Sequence, residues 1–137
     1  NIIIKAWSPA HTDHDLTVFD ATEKVFWAGD ILFVDHVPIL DSNIKGFISV
    51  LDEVHKMKVN FFVPGHGRSK ISWDTAIKRQ QRYLSQILVE TRQAIKEGAR
   101  LMDAVHTIGW KEKENWINFD DFHRRNVTTA WTELEWE

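Results

Sequence analysis

The 137-residue sequence predicts a layered α/β fold, and three observations carry that prediction. Short runs rich in β-branched and aromatic residues dominate the first third of the chain. Apolar residues spaced three and four apart, the period of an amphipathic helix, fill much of the remainder. The order is strands, helix, strand, then helices, and no linker, repeat or low-complexity tract divides it into separate α and β domains.

The elements follow in order. Residues 2–7 are an apolar run ending at Ser8-Pro9. The chain enters this run directly at Asn1, which reads as the middle of a strand with residues missing upstream; Thr132 to Glu137, acidic and aromatic, reads as a natural terminus. Residues 16–20 and 24–28 read as two strands separated by Asp20-Ala21-Thr22-Glu23, a hairpin-like spacing, with Ile31 to Phe33 extending the second. Residues 34–43, with Pro38 and two aspartates, read as a loop. Ile44, Phe47, Ile48, Leu51 and Val54 form one helical stripe, with Asp41 or Ser42 as its cap. Val59 to Val63 reads as a buried strand, and Pro64-Gly65-His66-Gly67 as a turn. Ser72 caps a long helix whose face runs through Ile77, Gln80, Leu84, Ile87, Leu88, Thr91 and Ile95, with Gly98 just past its end. A shorter helix is expected over Leu101 to Ile108, a mixed polar segment over 110–118, and a last helix over 119–134.

Composition narrows the function. With 43% hydrophobic and 27% charged residues the chain is not disordered. No apolar stretch approaches the roughly 18 residues of a membrane span, so no membrane partner is expected. The net charge of −3, and the lack of basic–aromatic interleaving, argue against a nucleic-acid partner; the seven tryptophans read as core. There is no cysteine, so any metal must sit on His, Asp or Glu.

Three such residues stand where strands end, each beside a small residue that lets the backbone turn: His11, Asp30 and His66. Imidazole and carboxylate are good ligands for zinc and similar metals. Singly, each has an ordinary reading: a solvated loop histidine, a turn-capping aspartate, a glycine-shaped loop. His14, three residues from His11, could orient a ligand, and His36 could face a substrate; surface exposure is the plainer reading of both. His55 and His106 fall on helices away from these motifs.

Taken together the fragments are more specific. Ala10-His11-Thr12-Asp13-His14-Asp15-Leu16-Thr17-Val18, Trp27-Ala28-Gly29-Asp30-Ile31-Leu32-Phe33 and Val63-Pro64-Gly65-His66-Gly67 resemble the second half of the metallo-β-lactamase superfamily, in order and at similar intervals of 19 and 36 residues. The helix after Ser42 and the tail His123-Arg124-Arg125-Asn126-Val127-Thr128 with Glu133-Leu134-Glu135-Trp136-Glu137 look like one branch, the zinc metallohydrolases associated with quinoprotein (PQQ-dependent) dehydrogenase systems. By resemblance, His11 binds a first metal, Asp30 bridges two, and His66 binds the second. The resemblance implies up to two zinc ions, iron or manganese not being excluded, and a small-molecule substrate. It alone suggests the periplasm. The family's first ligand motif, HxHxDH, occurs nowhere in the chain.

The expectation is therefore the C-terminal half of an αββα sandwich, followed by C-terminal helices. The complete enzyme would use a metal-bound hydroxide to hydrolyse an ester, thioester, lactone or amide. The rival readings are an incomplete fragment serving as a structural or interaction module, and a di-iron redox protein on the same fold. Half a sandwich leaves one sheet face uncovered, for which Ile2, Ile4, Val18, Val25 and Trp27 are candidates. The missing N-terminal half, or a second copy of the chain, is the expected cover.

Overall fold

The computed structural model describes residues 1–137. Four strands, β1 (Ile2–Ala6), β2 (Leu16–Asp20), β3 (Val25–Phe33) and β4 (Phe61–His66), form one sheet in the order β1-β2-β3-β4. The first three pair antiparallel, while β4 lies parallel to β3. A parallel pair needs a crossover, and α1 (Ile44–His55) supplies it. Helices α2 (Trp73–Lys96) and α3 (Leu101–Ala104), a 3-10 segment (Trp110–Asn115) and α4 (Phe119–Leu134) complete the mixed α/β chain. None of the helices is long and apolar enough to cross a membrane.

Local chemistry explains most boundaries. Asn43 rather than Asp41 or Ser42 caps α1, accepting from the Gly46 N–H at 2.6 Å. Both expected caps are engaged elsewhere, Asp41 with Arg125 and Ser42 with Asp13. Ser72 caps α2 by accepting from the Thr75 N–H, and Gly98 follows its end at φ +74°. The helix expected over 101–108 stops at Ala104. Beyond it His106 and Thr107 bond only three residues back, the tighter spacing that unwinds a helix into turns, so His106 is exposed on a turn.

The turn expected at Pro64-Gly65-His66-Gly67 is strand as far as His66. Pairing with β3 overrides the turn preference of Pro-Gly: Pro64 lies opposite Gly29, and the Val34 N–H donates to the His66 carbonyl at 2.9 Å. Proline is tolerated because β4 is an edge strand. The chain turns instead at Gly67, at φ +90°, where a Cβ would lie 1.6 Å from the Val34 carbonyl oxygen.

Side chains alternate across the sheet. Phe26, Ala28 and Phe62 are buried toward the helices, and Trp73 packs 5.3 Å from the rings of both phenylalanines. Where β3 outruns β2, the buried Gln80 amide of α2 accepts from the Phe33 N–H and donates to the Ile31 carbonyl, replacing a strand partner. The opposite face carries the row Ile4–Val18–Trp27–Val63, flanked by Ile2, Leu16 and Phe61. Ile4 is 68% exposed, Ile2 and Leu16 57% each, and Phe61 52%. The sheet is thus covered by helices on one face only. Helix α4 closes the helical layer, burying Val127, Ala130, Trp131 and Leu134, while Glu133 accepts from the Ile44 N–H at the start of α1.

Candidate functional site

The sheet brings three of the residues singled out in the sequence to one end. Asp30 lies in β3, His66 ends β4 beside it, and His11 arrives on the connection between β1 and β2. His11 Nε2 lies 3.4 Å from Asp30 Oδ2, and His66 Nε2 lies 3.3 Å from Asp30 Oδ1. Each carboxylate oxygen therefore faces one imidazole. The His11 side chain is only 9% exposed and forms the floor, whereas Asp30 (43%) and His66 (41%) form an open rim.

The backbone makes this approach possible at Gly65. A Cβ there would lie 2.4 Å from both Asp30 Oδ1 and the Gly29 carbonyl oxygen, inside any real contact distance. Aromatic packing fixes the rings. Phe33 stacks flat on His66 with centroids 4.9 Å apart and meets His11 edge-on at 5.6 Å.

The hydrogen bond of His11 fixes its tautomer. Nδ1 lies 2.6 Å from the Ile39 carbonyl oxygen. A carbonyl only accepts, so Nδ1 carries a proton, and it is Nε2 that presents the lone pair whenever the ring is neutral. That lone pair faces a carboxylate, which is also an acceptor when ionised, and a cation between them would satisfy both. The spacing agrees. Donors about 2.0–2.1 Å from one tetrahedral metal lie roughly 3.3 Å apart. The donor set of two imidazoles and one carboxylate suits zinc, and also iron or manganese. It does not form a closed shell: no group of three or more His, Cys, Asp or Glu side chains has the arrangement of a ready-made metal cage. Further donors would have to come from solvent or from another segment.

His36 joins the cluster. Its ring lies 5.1 Å from that of His66 and 5.4 Å from that of Phe122, and its Nδ1 donates to the Val37 carbonyl. In the neutral ring the lone pair is therefore at Nε2. The preceding Asp35, at φ +62°, accepts from Arg68 at 2.6 Å and pairs with Arg79 at 3.4 Å. The Arg68 hydrogen bond, with help from Arg79 and against partial burial, holds the Asp35 carboxyl below its ordinary range. This ties the loop after β3 to the loop after β4. His14 stays outside, exposed in a turn where its N–H donates to Thr12 Oγ1. The Ile39 carbonyl, and not His14, orients the His11 ring.

Sequence reasoning did not single out Phe33, Ile39, Tyr83 or Asn126 as parts of this neighbourhood. Asn126 left a signal, a polar residue on the apolar face of the last helix. It is fully buried, as is Tyr83. Burial pushes the Tyr83 phenol above its usual range. Tyr83 Oη donates to His123 Nδ1, and His123 Nε2 donates to the Ile108 carbonyl. Burial also pushes the His123 imidazole below its ordinary 6.5, the Ile108 bond opposing it.

Set against known proteins, the chain matches no protein-family model and no curated sequence.

Proposed function

We infer that this chain carries part of the metal site of a zinc-type hydrolase of the metallo-β-lactamase superfamily. Its substrate would be a small ester, thioester, lactone or amide. One observation carries the reading: two histidine Nε2 atoms lie within 3.4 Å of the two oxygens of a single aspartate.

His11, Asp30 and His66 would hold the metal. When bound, the metal supplies a low-pKa water and polarises a carbonyl group. Asp30, with one oxygen toward each histidine, is placed to link two ions and to accept a hydrogen bond from an attacking water. His11 is the fixed donor of the set, because the Ile39 carbonyl holds its ring. His36 stands at the rim, where its Nε2 can accept a hydrogen bond from a substrate.

Within this reading the sheet is one of the two in an αββα sandwich. The uncovered apolar face supports it, since sheets in such folds pack face to face about 10 Å apart. The cover would be the N-terminal half, which would bring the remaining donors, or a second copy of the chain. The same face favours the rival reading of a catalytically incomplete interaction module.

Zinc stoichiometry by equilibrium dialysis and elemental analysis tests the site. Wild-type chain should bind zinc, and His66→Ala or Asp30→Ala should lose most of it; unchanged binding in both variants sinks the assignment. Chelator-sensitive hydrolysis across ester, thioester, lactone and amide substrates, measured with the covering half present, separates hydrolase from module.

A further inference from the structure

The last helix reaches the candidate metal site through a short extended segment. Residues 38–41 lie between α4 and His11, with alternate backbone groups facing opposite ways. Toward α4, the Leu40 N–H donates to Asn126 Oδ1 at 2.9 Å, and Asn126 Nδ2 donates to the Pro38 carbonyl at 2.6 Å. Toward the site, the Ile39 carbonyl accepts from His11 Nδ1 at 2.6 Å, and the Asp41 N–H donates to the His11 carbonyl at 2.9 Å. The Asn126 side chain is wholly buried, and its Nδ2 also donates to Tyr83 Oη at 2.9 Å. One side-chain amide thus imitates a neighbouring strand. It bonds the segment on both sides of Ile39 and leaves the Ile39 carbonyl pointing the other way.

We propose that Asn126 is a positioning residue for His11: by clamping Pro38 and Leu40 it aims the Ile39 carbonyl at Nδ1, which keeps Nε2 free as a metal donor. Without the clamp, segment 38–41 loses both of its backbone bonds to α4 and keeps only the exposed Arg125–Asp41 side-chain pair, one residue beyond Leu40. The carbonyl then drifts, and the His11 ring can exchange tautomers or turn its Nδ1 toward Asp30. Partners that orient a ligand in this way typically contribute 10–100-fold to metal affinity. The proposal rests on His11 being a metal ligand, but its first readout does not.

The test takes two measurements on the full chain. Nitrogen-15 NMR of labelled histidine without metal reports the His11 tautomer. Wild type should show one tautomer, protonated at Nδ1, and Asn126→Ala should show a mixture. Zinc titration should then show an affinity about tenfold or more lower in Asn126→Ala. Two controls separate positioning from loss of stability. Val127→Ala truncates the neighbouring buried residue, and Tyr83→Phe removes the bond to Asn126 without touching the segment; both should keep the wild-type tautomer and affinity. If Asn126→Ala does not fold, Asn126→Ser, too short to bridge Pro38 and Leu40, is read the same way. An unaltered His11 tautomer in the folded Asn126 variant overturns the proposal, as does an equal change in Val127→Ala. A changed tautomer with no zinc binding even in wild type would leave the clamp standing and overturn the metal assignment instead.

Discussion

Gly65→Ala is the sharpest perturbation of the candidate site, because it adds one methyl group where two strands meet. The new Cβ would lie 2.4 Å from both Asp30 Oδ1 and the Gly29 carbonyl oxygen, whereas ordinary contacts begin at 3.4 Å. The strands must therefore part by about 1 Å, or Asp30 must swing away. The Gly29 oxygen is backbone and cannot rotate aside, so part of the strain stays in the β3–β4 pairing. Overpacking of this kind costs roughly 1–3 kcal/mol. For a chain of this length that corresponds to a fall in Tm of about 3–10 °C. Zinc affinity should fall as well, since Asp30 can no longer sit against both histidines. Gly98→Ala is the control: Gly98, unlike Gly65, has positive φ, +74°, but a Cβ there meets nothing within 4 Å. It should cost only the roughly 1–2 kcal/mol of a left-handed alanine and leave zinc binding alone. Calorimetry and zinc titration of both variants decide the matter. A Gly65→Ala protein with wild-type Tm and zinc affinity would refute the close approach on which the site geometry rests.

Three other outcomes follow from the packing. His123 is held neutral by burial, so an unfolded chain takes up its proton near pH 6.5 while the folded one resists. Stability should accordingly be insensitive to this group above pH 6.5 and fall on acidification below it, by up to about 1.4 kcal/mol per pH unit; urea melts of wild type and His123→Asn should differ in that slope, and equal slopes refute it. Glu112 accepts from Arg82 at 2.8 and 3.0 Å and from Trp116 Nε1 at 2.9 Å, so Glu112→Ala strands a buried indole N–H and should cost about 2–3 kcal/mol in chemical denaturation. The exposed sheet face should make the isolated chain bind a hydrophobic dye or self-associate, and Ile4→Lys with Phe61→Glu should reduce both without lowering Tm by more than a few degrees; a monomeric wild type that binds no dye would show that the face is not sticky.

Much of this architecture is legible in the sequence because it is local. The stripe Ile44, Phe47, Leu51, Val54 becomes the buried face of α1, and Ser72 and Gly98 bracket α2 as their chemistry dictates. Phe119 to Leu134 is helical throughout. The failures arise where distant partners decide. Pro64-Gly65 has turn propensity, yet the ladder to β3 holds it extended. Asp41 and Ser42 are good caps, yet Arg125 and Asp13 claim them. The motifs of His11, Asp30 and His66 point to one cluster, and each imidazole lies within 3.4 Å of the Asp30 carboxylate. Their supports could not be read in advance. The carbonyl of Ile39 carries no side-chain signature, and Asn126 reaches Leu40 across 86 residues of sequence.

Strand β1 has a consequence of a different kind. It pairs only with β2, so its outer backbone donors and acceptors form an open hydrogen-bond template, and all five of its residues are exposed. Three consecutive isoleucines give this edge a strong preference for further strand. Its single charge, Lys5, is turned toward the helical layer, where its ammonium pairs with Glu53 and lies 3.8 Å from the Trp7 ring. No gatekeeper charge therefore interrupts Ile2-Ile3-Ile4. An edge of this type grows by adding strands in register, a nucleated process with a lag phase that seeds can abolish. Ile4→Pro, at a position whose N–H faces away from β2, would block that growth, and a seeded light-scattering time course would show whether β1 is the nucleus.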